Sequence, residues 1–68
     1  MYDLVGVDGN AYSIMGYVKK AMRAEKCTSQ EIDEYLKDAM SSDYNHLLTV
    51  SISMIDKLNE KHGGSDYE

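Results

Sequence analysis

The chain has 68 residues, a net charge of −5 and a hydrophobic fraction of 43%. This length supports one domain, and an acidic chain with a pI near 4.8 repels nucleic-acid phosphates and anionic lipid, so direct binding to either is not expected. A single cysteine, Cys27, excludes an internal disulfide, and no apolar run exceeds two residues, far short of the roughly 20 that span a bilayer.

The first ten residues, MYDLVGVDGN, carry neither a basic leader nor a long apolar stretch, which makes a cytoplasmic address the expectation. Residues 2 to 7, YDLVGV, predict a short extended segment followed by the turn signal Asp8-Gly9. A lone strand there has nothing to pair with. From Asn10 onward, Ala11, Ile14, Met15, Val18 and Met22 recur at i, i+3, i+4, i+7 and i+11, the pattern of an amphipathic helix reaching about Glu25. Asp8 or Asn10 is its expected cap. The glycines of GVDGNAYS, just ahead of a helix, raise the idea of a phosphate cradle. The lysine and spacing of a Walker loop are missing, and Asp8 puts negative charge where a phosphate would sit, so the stretch reads as a turn and a cap.

The second helix has the clearest start. Thr28 as N-cap with Glu31 three residues on forms a capping box, and Cys27 before the cap can touch Ile32 as a hydrophobic staple. Ile32, Tyr35, Leu36, Ala39 and Met40 make its apolar face, and Ser41-Ser42 ends it. Cys27 therefore reads as a packing residue; the sequence places no histidine to activate it as a nucleophile.

The stretch LLTVSISMIDKL, residues 47 to 58, fits two patterns. Leu48, Val50, Ile52 and Met54 alternate with Thr49, Ser51 and Ser53 as in a half-buried strand. Tyr44, Leu47, Leu48, Ser51, Ile55 and Leu58 instead form a helical stripe, flanked by Val50 and Met54 on one side and Ile52 on the other. The helical reading also explains a start at Ser42-Asp43, cations at Lys57, Lys61 and His62, and a stop at Gly63-Gly64. A helix is expected, with an apolar arc of about 200°, wider than one neighbouring helix covers. Its place is then in the middle, against both other helices or against one of them and a second chain. The fold class that follows is all-α: a single three-helix domain over residues 1–62 with an extended N-terminal segment, and a disordered tail over residues 63–68.

The runs DGNAYSIMG at 8 to 16 and EIDEYLKDAMSSDYNHLL at 31 to 48 resemble a family of small bacterial and phage-type proteins in which D-G-N-A-aromatic and D-Y-x-x-L-L blocks recur. The resemblance spans roughly Asp3 to Leu58. It implies a free-standing domain and carries over no activity, cofactor or catalytic residue.

Two groups of residues stand out as candidate sites. On the outer face of the first helix Gly16 lies opposite the apolar stripe, where core packing does not call for it and where it costs about 1 kcal/mol relative to alanine. Tyr12 before it and Lys19, Lys20 and Arg23 after it form an aromatic and basic patch that can receive a protein, including a second copy of the chain. Asp8 and Asn10 at one helix start and Asp43, Asn45 and His46 at another could gather around a divalent cation if those starts meet. The expectation is a protein that works by binding protein and self-association as a homodimer, with no cofactor and no catalysis. The alternative is a metal- or small-ligand-binding accessory protein; an acidic nucleic-acid mimic ranks lower, because the patch on the first helix is basic.

Overall fold

The computed structural model describes residues 2–63 and holds three helices, α1 Ala11–Ala24, α2 Ser29–Ala39 and α3 Tyr44–Gly63, with no strand among the described residues. The ambiguous stretch 47 to 58 lies wholly within α3. Leu47, Ser51, Ile55 and Leu58, spaced i, i+4, i+8 and i+11, are buried, while Ile52 is 51% exposed. A strand would have buried Ile52 and needed a neighbour for its backbone groups. Inside α3 those groups satisfy one another.

α3 packs on both α1 and α2, which touch each other less. Ile14, Met15, Val18 and Met22 of α1 and Ile32, Tyr35 and Ala39 of α2 close over its stripe. One polar pair sits inside this core: the hydroxyls of Tyr35 and Ser51, 2.7 Å apart, share a buried hydrogen bond that ties α2 to α3. Ser51 is fully buried, and no buried side-chain N or O atom among the described residues lacks a partner.

The helix ends are built locally. Asn10 caps α1 by accepting from the Tyr12 amide (2.8 Å), and Asp8 in turn accepts from the Asn10 amide (3.3 Å). At the far end the Lys26 amide bonds the Arg23 carbonyl and the Cys27 amide the Met22 carbonyl, a Schellman closure with Lys26 at φ +65° in the position glycine usually holds. Thr28 and Glu31 form the expected capping box of α2, with bonds of 3.1 and 2.7 Å. Cys27 is half-buried against the core, as a packing residue should be.

Two expectations are corrected. The cap of α3 is Asp43 and not Ser42: its carboxylate accepts from the His46 amide (2.9 Å) and its carbonyl from the Leu47 amide, so the helix starts one residue later. Met40 does not join the buried face of α2. It is the C-cap, its amide still bonded to the Leu36 carbonyl, and its side chain borders the hollow at the helix end, 58% exposed. α3 runs through Gly63, the first of the two glycines expected to stop it, and residues 64–68 lie outside the described residues.

The N-terminal segment is not alone, and of residues 2 to 7 only the first precede a turn, which occupies Leu4 to Val7. Its backbone finds the neighbour it needs in a side chain: the Tyr2 amide donates to Asn59 Oδ1 (2.8 Å), and Asn59 Nδ2 donates to the Tyr2 carbonyl (2.9 Å). The Asp3 amide donates to the Tyr17 hydroxyl (2.9 Å), and the Tyr2 hydroxyl to the Glu25 carboxylate (2.6 Å). A turn follows, with the Val7 amide bonded to the Leu4 carbonyl and Gly6 at φ +89°, the positive value that the third position of such a turn requires. Tyr2, Leu4 and Val7 thereby pack against the core. The segment is a strap across α1 and α3.

Two stability measurements follow. Tyr35→Phe and Ser51→Ala should each cost about 1–3 kcal/mol by leaving one buried hydroxyl unpaired, and the double variant should cost clearly less than their sum in urea titrations. The second concerns alkali. The Glu25 carboxylate beside Tyr2, and burial at Tyr35, raise both phenols above their ordinary value of 10.0. The folded chain therefore holds these protons longer than the unfolded one, so their stabilisation is complete below pH 10 and is lost as pH rises through the folded values. Wild type should be more stable than Tyr2→Phe at neutral pH, and the gap in urea midpoint should close above pH 10.

Candidate functional site

The outer face of α1 is built as its periodicity implies. Tyr12, Gly16, Lys19 and Arg23 fall at i, i+4, i+7 and i+11, one stripe turned away from the core, with Lys20 beside it. Tyr12 is 79% exposed, and Gly16, Lys20 and Arg23 are exposed as well, with Lys19 half-buried. Nothing lies within 4 Å of the Cβ that Gly16 lacks. The chain's own packing therefore gives no reason for a glycine there.

What the sequence did not reveal is where Tyr12 leads. Val5, Tyr12, Met40, Tyr44 and Ile52 are the large apolar side chains exposed among the described residues, and three of them line one hollow of about 280 Å³. Tyr12 and Met15 come from the start of α1, Met40 from the end of α2, and Tyr44 and Leu47 from the start of α3. The capping residue Asp43 stands at its rim. Tyr44, expected in the core stripe, is 44% exposed instead, because it is the first residue of α3 and projects over the helix end, where its hydroxyl donates to the Gly9 carbonyl. Aromatic and methionine side chains grouped around a hollow are the composition of protein interfaces. The signal available in the sequence was the pair Met40 and Tyr44 at the α2–α3 connection, read there as core.

The Tyr44–Gly9 bond shows that the starts of α1 and α3 do meet, which was the condition for a cation site. Their side chains each accept from a backbone amide of their own helix start: Asp8 from Asn10, Asn10 from Tyr12, and Asp43 from His46. His46 turns to the other side, with Nε2 3.0 Å from Asp38 Oδ1, and the Asn45 carbonyl accepts from the Thr49 hydroxyl. Among the described residues no three His, Cys, Asp or Glu side chains stand together as a metal would need.

Ser41, His46 and Asp38 lie close enough to suggest a nucleophile, base and acid, with Ser41 Oγ 3.3 Å from His46 Nε2. Both contacts fall on the same nitrogen. A relay needs the carboxylate on one ring nitrogen and the hydroxyl on the other, so this arrangement does not activate Ser41. Its hydroxyl donates to the Asp38 carbonyl (2.7 Å), closing the end of α2.

Among the described residues no helix is long and apolar enough to cross a membrane. Asp43→Ala should lower stability by about 1 kcal/mol through loss of the α3 cap. Melting in chelator and in micromolar zinc or manganese should show the same loss in both, since the carboxylate serves a backbone amide and not an ion.

No family model, curated protein or solved structure matches the chain, so a functional reading must come from its own residues.

Proposed function

We propose that this protein acts by binding protein and not by catalysis, and that its partner is a second copy of itself, paired through the outer face of α1. The observation that supports this is the polarity of that face. Its first half is aromatic and lies beside two carboxylates, with Tyr12 exposed, Asp8 at the helix start and Asp43 at the rim of the hollow. Its second half carries Lys19, Lys20 and Arg23. Such a face complements itself when two copies lie antiparallel, because the basic half of each then meets the acidic, aromatic half of the other.

Gly16 falls midway between Tyr12 and Lys20, at the point where the two helix axes would cross. Without a side chain there, the backbones can approach closely. About that centre Tyr12 of one copy meets Lys20 of the second, a cation over an aromatic face. Met40 and Tyr44 extend the contact as an apolar border. Dimerisation also suits a chain this small, since a second copy lends buried surface that one core lacks.

Sedimentation equilibrium at micromolar concentration tests the reading. Wild type should be dimeric, and Gly16→Leu and Met40→Glu should be monomeric with unchanged circular dichroism. Gly16→Ala gains about 1 kcal/mol of helix propensity with nothing in its own chain to oppose the methyl, yet it should weaken the dimer. A monomeric wild type would remove the proposal. A dimer indifferent to Gly16→Leu would move the interface elsewhere.

A further inference from the structure

The other flank of α2 borders a second surface. Between α2 and α3 runs an open groove of about 530 Å³, distinct from the hollow at Tyr12 and Met40. Its floor is apolar, with Met22, Cys27, Tyr35 and Leu58, and its α3 wall adds the half-buried Val50 and Met54. These last two are one flank of the arc that α1 and α2 leave uncovered. The α2 wall is a row of carboxylates, Glu31, Glu34 and Asp38, at i, i+3 and i+7. Opposite, Lys57 and Lys61 stand one turn apart on α3, with no ion pair to the carboxylates among the described residues.

From this arrangement we infer that the groove receives an amphipathic helix of another protein, one with an apolar stripe and a row of Lys or Arg along one edge. The shape favours a helix over a compact ligand. Glu31 to Asp38 spans about 10 Å at 1.5 Å per residue, and Thr49 to Lys61 about 18 Å, so the groove is elongated and stays open to solvent along its length. The charge decides which helix. Carboxylates at i, i+3 and i+7 repeat with the helical period, so a basic edge with that period, laid alongside α2, registers with all three. Val50 and Met54 meet its stripe near the Asp38 end. Lys57 and Lys61 make room for an acid at the end nearer Glu31, which sets the direction in which the guest lies. The net charge of −5 steers basic partners toward the chain.

A second copy does not supply the guest in the proposed dimer, because the basic row of α1 is engaged there. α2 offers Met40 to the hollow and Glu31, Glu34 and Asp38 to the groove, so failure of the dimer leaves the groove intact and the two readings fail separately.

Fluorescence anisotropy tests it with three labelled peptides of about 15 residues, the length at which an isolated helix begins to hold in water. One carries leucines at helical spacing with a lysine edge, one replaces those lysines by glutamate, and one has the first peptide's composition scrambled to abolish the stripe. The lysine-edged peptide should bind wild type at least about tenfold tighter than either control, and Glu34→Lys should weaken it about tenfold. Glu34 is the residue to reverse because its one described bond is to the exposed Gln30, whereas Glu31 belongs to the capping box and Asp38 pairs with His46. Met54→Ser should weaken binding as well, while Met40→Glu should leave it unchanged. Equal binding of the scrambled peptide would reduce the effect to bulk charge and overturn the proposal. So would indifference to Glu34→Lys in a variant whose circular dichroism matches wild type, or loss of binding with Met40→Glu.

Discussion

The molecule is organised by one constraint: α3 carries more apolar surface than any single neighbour can cover. Leu47, Ser51, Ile55 and Leu58 are buried, and Leu48, Val50 and Met54 stay half-buried on either side of them. A helix of this kind must sit in the middle, so α1 and α2 take two sides of it. The N-terminal strap takes part of a third, with Leu4 and Val7 packed on the core and Tyr2 held by Asn59. The groove beside Val50 and Met54 is what remains when those pieces are used up.

Inside that arrangement the Tyr35–Ser51 bond does a job the apolar residues cannot. Hydrophobic contact is nearly indifferent to a small slide of one helix along another, whereas a buried hydroxyl pair is satisfied in one register and costly in any other. The bond therefore selects how α2 lies on α3, and with it the spacing between the carboxylate row and the Val50–Met54 wall. Met40 and Tyr44 are placed by the same choice, since the short connection from α2 to α3 must close over that register.

Several of the chain's polar residues are occupied by its own backbone. Asn10, Thr28 and Asp43 cap the three helices, Asp8 and Glu31 brace two of the starts, and Asn59 and Tyr17 hold the strap. This explains why the residues that suggest a metal site in the sequence lose that character in three dimensions. What these bonds leave over are surfaces: the outer face of α1 with its open Gly16, the apolar parts of Tyr12, Met40 and Tyr44 around the hollow, and the apolar floor and wall of the groove along α2. For that reason the functional reading concerns partners.

Local signals carried most of the fold. Periodicity marked the buried stripes of α1 and α3, and Thr28 with Glu31 marked the start of α2, because such patterns depend only on residues within one or two turns. The order in which Ile55 is buried and Ile52 exposed was legible for the same reason. Tertiary structure alone decided the rest. Asn59 meeting Tyr2 joins residues 57 apart, and nothing in a helical asparagine announces that it will complete the backbone of a distant strap. Tyr44 and Met40 look like core by spacing, yet their exposure depends on where a helix begins or ends to within one residue, the least certain feature of any sequence pattern. The face of α1 was visible in the sequence as a stripe; its continuation into the hollow required the ends of three helices to come together, and that convergence is a property of the packed chain.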